Sequence, residues 1–159
     1  MTRFFVACAS IVSLLLLASS PVAADDKETL MKIVENGFNA LNAKDIAAFE
    51  RIHVTDGTAV HIDAGEGQIH VGWPVAKKAF EEESMQKNLK LMNLKNIALN
   101  VDGNSAWGVW TFDSQMDMEG KPMTTPMRLT LVFKGSGGKW LVAHSHLSAG
   151  LPHPPGGTK

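Results

Sequence analysis

Two histidines stand two residues apart near the end of the chain, in the stretch KWLVAHSHLSAGLP. Side chains alternate across a strand, so His144 and His146 are expected on one face, a spacing that suits a shared metal ion or a bound ligand. A third metal ligand would have to be His61, His70 or an acid, and no spacing rule selects one of them. The sequence therefore predicts neither a metal site nor a cofactor.

A charged residue on the preceding predicted strand decides what these histidines can do. A turn formed by residues 134–138 sets Arg128 opposite His144, whereas a turn formed by residues 135–138 sets it opposite Ser145, on the other face. We favour the first register because it gathers the arginine and the histidines on one surface. The proposed site therefore depends on where this turn begins.

In that register a single concave face carries Arg128 and an alternating set on the last strand: Trp140, Val142, His144 and His146. An always-charged guanidinium beside two imidazoles suits a carboxylate, an enolate or another anionic ligand. Trp110, on an earlier strand, is expected to supply an apolar wall. In the alternative interpretation the arginine only pairs with an acid on a neighbouring strand, Asp113 or Asp117.

The elements that must position these residues follow from periodicity. Apolar residues at helical spacing predict a first helix over residues 26–43, and Asp45 caps a second, short helix. Two short extended pieces, 58–63 and 68–71, precede a third helix that Gly72-Trp73-Pro74 opens, with Pro74 in its first turn. Four long extended runs follow, separated by turns that contain glycine: 90–101, 105–118, 121–133 and 139–147. This order predicts an α+β fold in which a curved antiparallel sheet wraps around the N-terminal helices.

The two ends of the chain differ in composition from this region. Residues 1–24 have a basic start, an apolar core and small residues before Asp25, which predicts a signal peptide and a secreted or periplasmic protein. No later stretch has the length that a bilayer requires. Residues 25–149 are expected to form one domain, and the Pro- and Gly-rich residues 150–159 a disordered tail.

Composition excludes several classes of function. Fifteen basic and sixteen acidic residues give a net charge of -1, with no basic cluster of the kind that binds nucleic acid. Cys8 is the only cysteine and lies in the predicted signal peptide. The mature chain is therefore expected to form no disulfide, thiolate metal site or cysteine nucleophile.

The closing stretch also resembles a known family. Its features are Gly138-Lys139-Trp140, His144-x-His146-x-Ser148 and Gly150-x-Pro152. They resemble the last strand of the association domain of calcium/calmodulin-dependent protein kinase II and of bacterial SnoaL-like relatives in the nuclear-transport-factor-2-like superfamily. The resemblance implies a cone-shaped, cystatin-like α+β barrel with a pocket between sheet and helices, paired into homodimers through the sheet. It also implies that Arg128 lines the pocket.

Two functions fit these observations. The first is an exported domain that binds a small organic, anionic ligand through Arg128, His144 and His146. The second, which the superfamily implies, is an isomerase, cyclase or dehydratase that removes a proton next to a carbonyl. His144 or His61 would then be the base, and Asp63 is the only strand carboxylate of the first hairpin.

Overall fold

A computed structural model describes residues 22–64, 68–85 and 88–151 of the chain. Most of the predicted signal peptide and residues 152–159 of the predicted tail lie outside this range. The elements run in the order α1 (Val22–Asn42), α2 (Ile46–Glu50), β1 (Val60–Ile62), β2 (Ile69–Val71), α3 (Trp73–Met85), β3 (Lys90–Asp102), β4 (Ser105–Met118), β5 (Lys121–Ser136) and β6 (Lys139–Ala149). Of the helices described, none is both long and apolar enough to cross a membrane.

The first two helices form as their sequences predict. Helix α1 buries Leu30 and Val34 against the sheet, because apolar residues four apart lie on one helical face. Asp45 caps α2, since its Oδ1 accepts a hydrogen bond of 2.8 Å from the backbone N–H of Ala48. The cap fixes the first residue of α2, and Phe49 lies on the buried side of this helix.

The six strands form one curved sheet in the order β2-β1-β6-β5-β4-β3. The neighbouring pairs are antiparallel except β1 and β6, which run parallel. The short first hairpin thereby joins the last strand of the chain, so residues distant in sequence share one face. The predicted α+β class, with a curved sheet and N-terminal helices, is confirmed.

The hairpin between β5 and β6 differs from both predicted registers. Its turn consists only of Gly137 and Gly138, with φ angles of 58° and 77°, which glycine adopts without steric strain. Strand β5 consequently extends to Ser136, and Arg128 lies opposite Ser148 instead of His144 or Ser145. The predicted longer turn is wrong because the two glycines suffice to reverse the chain.

A β-bulge in β6 changes which face the histidines occupy. Phe133 pairs with Val142 but Val132 pairs with His144, so Ala143 is an extra residue in β6. An extra residue reverses the alternation of the side chains that follow it. Val142 points inward, whereas His144 is turned to the outer face. The prediction that Trp140, Val142, His144 and His146 share one face is therefore wrong.

The main core lies between α1 and the inner face of β4, β5 and β6. Its buried members are Leu30, Val34, Ala106, Trp110, Leu131, Phe133, Trp140 and Val142. The ring of Trp110 lies over Gly108, where an added Cβ would come within 2.4 Å of the indole. Glycine at this position therefore allows the tryptophan to be buried against its own strand.

Candidate functional site

A cavity of about 300 Å³ lies between the three helices and the inner face of the sheet. Its walls are mostly apolar and include four phenylalanine rings. The rings of Phe38 and Phe112 meet edge to face with centroids 4.8 Å apart, and those of Phe49 and Phe80 do so at 4.9 Å. Such a space favours an organic molecule with an apolar skeleton.

A small polar group interrupts this apolar lining at the first hairpin. It consists of His61, Asp63, His70 and Ser145, all of which line the cavity. Strand pairing places them together, because His61 lies opposite His70 in the antiparallel pair and beside Ser145 in the parallel one. Asp63 follows His61 by two residues and so shares its face.

His61 is almost completely buried, at 1% exposure. Its Nδ1 lies 2.8 Å from Ser145 Oγ, whereas its buried Nε2 has no hydrogen-bond partner among the described residues. Burial, with smaller contributions from the neighbouring His144 and His70, lowers the pKa of His61 to about 4. The ring is therefore neutral near pH 7 and presents an unpartnered nitrogen.

Asp63 and His70 form a hydrogen-bonded pair beside His61. His70 Nε2 donates to Asp63 Oδ2 at 2.9 Å. The other carboxylate oxygen, Oδ1, is buried and also has no partner in the part of the chain that the structure describes. Buried polar atoms without partners are uncommon, and a ligand or an ordered water would supply the missing contact.

A second buried histidine, His53, lines the same cavity. Its ring stacks on Trp73 with centroids 4.7 Å apart and lies 5.3 Å from the ring of His61. His53 Nδ1 is 2.8 Å from the carbonyl oxygen of Phe49, and a carbonyl only accepts, so Nδ1 carries the proton. Burial lowers the pKa of His53 to about 3, which leaves Nε2 unprotonated at neutral pH.

The charge of the cavity follows from these groups. None of the described residues that line it is a lysine or an arginine. Nor does the described part of the chain contain three or more His, Cys, Asp or Glu side chains grouped to hold a metal ion. The cavity thus offers the Asp63 carboxylate and the neutral imidazoles of His53 and His61 within apolar walls, which disfavours an anion.

The structure does not bring Arg128, His144 or His146 to this cavity. All three lie on the outer face of the sheet, where Arg128 and His146 are exposed and His144 is half-buried. The prediction that they gather on a concave surface is wrong, because the bulge at Ala143 and the short glycine turn set both the face and the register. Asp113 and Asp117, the alternative partners of the arginine, instead accept hydrogen bonds from Asn93 and Asn88.

The other predicted site residues lie on the inner side. His61 and Asp63 line the cavity. Trp110 points inward but packs in the core against Phe133, with ring centroids 6.1 Å apart. The apolar wall predicted for Trp110 is formed instead by Phe112, two residues further along the same strand.

His53, His70 and Ser145 also line the cavity, but the sequence assigned none of them a catalytic or ligand-binding role, and it named His70 only as a possible third metal ligand. For His70 a signal exists, because pairing the two predicted extended pieces, 58–63 and 68–71, as a hairpin with their facing ends opposite each other sets it opposite His61. For His53 and Ser145 no local pattern in the sequence indicates the contact.

Comparison with known proteins agrees with this architecture. An NTF2-like protein of unknown function from Pseudomonas putida has a TM-score of 0.67 at 20% identity, over 81% of this chain and 89% of that one. A suggested dehydratase of the NTF2-like family from Streptomyces avermitilis gives 0.72 at 15%, over 80% and 99%. A suggested calcium/calmodulin-dependent protein kinase II association domain from Xanthomonas campestris gives 0.64 at 22%, over 84% and 93%.

These identities are low, so the three structures establish a shared fold alone. No curated protein matches the chain. Residues 30–152 match the SnoaL-like domain family, which covers all the strands and most of α1. The chain therefore belongs to the SnoaL-like domain family.

Proposed function

We propose that this protein binds a small, neutral, largely apolar organic molecule in the cavity between helices and sheet. The observation that carries the proposal is the pair of buried, unpartnered polar atoms, His61 Nε2 and Asp63 Oδ1, in an otherwise apolar cavity. Leaving such atoms unpaired costs about 1 to 3 kcal/mol each, and a ligand that pairs with them recovers this free energy. The apolar walls would contribute the remaining affinity.

The charge of the ligand is the point on which this proposal departs from the sequence-based prediction. An anion would enter a cavity whose described lining holds the Asp63 carboxylate and no lysine or arginine. Its desolvation would then be uncompensated. Arg128, on which the anionic prediction depended, lies on the opposite face of the sheet.

The test is a ligand-detected NMR screen of matched neutral and anionic fragments that share benzene, indane or naphthalene skeletons. We expect the neutral members to bind and their carboxylates not to bind. Ala79→Phe should fill the cavity and abolish binding, whereas Ala98→Phe, on exposed β3, should leave it unchanged. Carboxylates that bind more tightly than their neutral counterparts would overturn the proposal.

A second candidate function is proton transfer on the bound molecule, as in an isomerase or dehydratase. It is favoured by the Asp63–His70 hydrogen bond of 2.9 Å, because His70 holds one carboxylate oxygen and leaves the other free to accept a proton. His61, on the same strand face as Asp63, would donate a hydrogen bond to the reacting oxygen or accept one from it. His144, the other predicted base, lies on the outer face and has no part in this candidate.

Deuterium exchange tests this second function. A ketone fragment that binds the cavity is incubated in D₂O, and NMR follows the loss of the protons next to its carbonyl. We expect Asp63→Asn to slow that exchange at least about 100-fold, the usual contribution of a general base. An equal exchange rate with and without protein would exclude proton transfer on that ketone.

We further propose that the protein forms a homodimer through the outer face of the sheet. Apolar side chains are exposed across this face, on strands at both of its edges and between them: Ile69, Val71, Ile97 and Trp107. A similar structure is named an association domain, which agrees with assembly through this fold. Export to the periplasm or the medium is proposed on the composition of residues 1–24 alone.

A further inference from the structure

The inference that follows rests on the proposed binding of a neutral ligand. We infer that this ligand presents a hydroxyl group, of an apolar alcohol or a phenol, and that the hydroxyl donates its hydrogen bond to Asp63 Oδ1. The observation that points to it is the fixed polarity of the hydrogen-bonding atoms around the cavity.

Asp63 determines what the ligand must offer. An ionised carboxylate has no proton, so Oδ1 can only accept a hydrogen bond. His70 already donates to Oδ2 at 2.9 Å, which holds the carboxylate in place and leaves Oδ1 buried without a donor. A ketone, an ether or a carboxylate would place a second acceptor against this oxygen, whereas an O–H group satisfies it.

The histidines agree with a group that both donates and accepts. The proton on His53 Nδ1 is fixed by the carbonyl of Phe49, so that ring offers only an acceptor at Nε2. If Ser145 donates to His61 Nδ1, the unpartnered Nε2 of His61 carries a hydrogen and needs an acceptor. A hydroxyl donates once and accepts up to twice, so one hydroxyl can serve Asp63 and His61 together.

His61 and Asp63 are close enough for one small polar group. They are alternate residues on one side of the first hairpin, so their Cα atoms lie about 6.6 Å apart. Both side chains line the same cavity, and their alternate positions along one strand direction place them on the same side of it. The apolar walls, which include the ring of Phe112 on β4, then surround the skeleton that bears the hydroxyl.

Isothermal titration calorimetry with four compounds of one skeleton tests this inference. They are 4-ethylphenol, 4-ethylbenzyl alcohol, 4-ethylanisole and 4-ethylbenzoate. We expect the phenol or the alcohol to bind about tenfold more tightly than the methyl ether, the difference expected for one hydrogen bond to a charged group. The comparison of phenol with alcohol distinguishes the two sources of the hydroxyl.

Asp63→Asn provides the decisive variant. His70 would still donate to the amide oxygen, so the amide NH₂ would take the place of Oδ1 and turn an acceptor into a donor. The preference for the hydroxyl compounds should then disappear or reverse in favour of the ether. Ser148→Ala, which removes a half-buried hydroxyl from the outer face of β6, should preserve the preference.

The outcomes separate this inference from the proposed function. Equal binding of hydroxyl and ether compounds by the wild type, or a preference that survives in Asp63→Asn, overturns the inference alone. If Asp63→Asn does not fold, Asp63→Ala replaces it. This variant should bind the hydroxyl compounds and the methyl ether with equal affinity, and the hydroxyl compounds more weakly than the wild type does. If none of the neutral compounds binds while 4-ethylbenzoate does, the proposed function fails as well.

Discussion

Ser145 Oγ lies 2.8 Å from His61 Nδ1, across 84 residues of sequence, and joins the last strand to the first hairpin inside the cavity. Because both groups are buried, removing one leaves the other without its hydrogen bond. We expect Ser145→Ala to lower the free energy of unfolding by about 1 to 3 kcal/mol. Urea denaturation measures the loss, and Ser148→Ala, a half-buried serine on the outer face of the same strand, is the matched control.

Asp26 anchors the start of α1 to the sheet. Its Oδ1 accepts a hydrogen bond of 2.9 Å from Trp140 Nε1, and the indole belongs to the main core. We expect Asp26→Ala to destabilise the fold by about 1 to 2 kcal/mol, whereas the same change at the adjacent, exposed Asp25 should have little effect. Equal thermal midpoints for the two variants would show that the anchor contributes nothing.

The buried histidines predict loss of stability in acid. The pKa values of His53 and His61 are lowered by burial to about 3 and about 4, from an ordinary value of 6.5. Between pH 6.5 and these lowered pKa values, the histidines of the unfolded chain bind protons that those of the folded chain do not. The stability is therefore complete above pH 6.5 and falls as the pH decreases toward 4. Each histidine adds up to about 1.4 kcal/mol per pH unit to this slope.

Urea denaturation between pH 4.5 and 7.5 measures the slope. His53→Phe and His61→Phe should each flatten it, whatever their effect on stability at pH 7. His146→Gln, at an exposed position on the outer face, is the control and should retain the wild-type slope. A wild-type protein whose stability does not change over this range would contradict the burial of both rings as neutral species.

The outer face of the sheet predicts the oligomeric state. Trp107 is 46% exposed on β4, and its neighbours across the sheet include the half-buried Val132. We expect multi-angle light scattering to give the mass of a dimer for the wild type and of a monomer for Trp107→Glu, since a charge in an apolar interface is costly. Asn104→Glu, in the exposed turn between β3 and β4, should remain dimeric. A monomeric wild type would refute the homodimer.

The signal peptide makes a prediction that mass spectrometry checks. Expressed with its own N-terminus in a bacterial host, the protein recovered from the periplasm or the medium should begin at Asp25. Cleavage there would retain Asp26 and its bond to Trp140. Recovery of the uncleaved chain from the cytoplasm would contradict both the signal peptide and the proposed export.

The sequence alone determined the order and type of the elements. Helical spacing of apolar residues predicts α1, the Asp45 cap predicts α2, and turns rich in glycine separate the four long strands. These signals are local, so they can be recognised without knowledge of the tertiary contacts. The placement of His61 and Asp63 on one face also follows from alternation within a single strand.

The tertiary structure decided which side chains meet. One extra residue, Ala143, turns His144 and His146 away from the cavity although Val142 on the same strand lines it. A bulge depends on how the partner strand pairs, and the parallel pairing of β1 with β6 brings Ser145 to His61 from 84 residues away. Because a single-residue shift moves every following side chain to the other face of a sheet, only the assembled sheet determines the site.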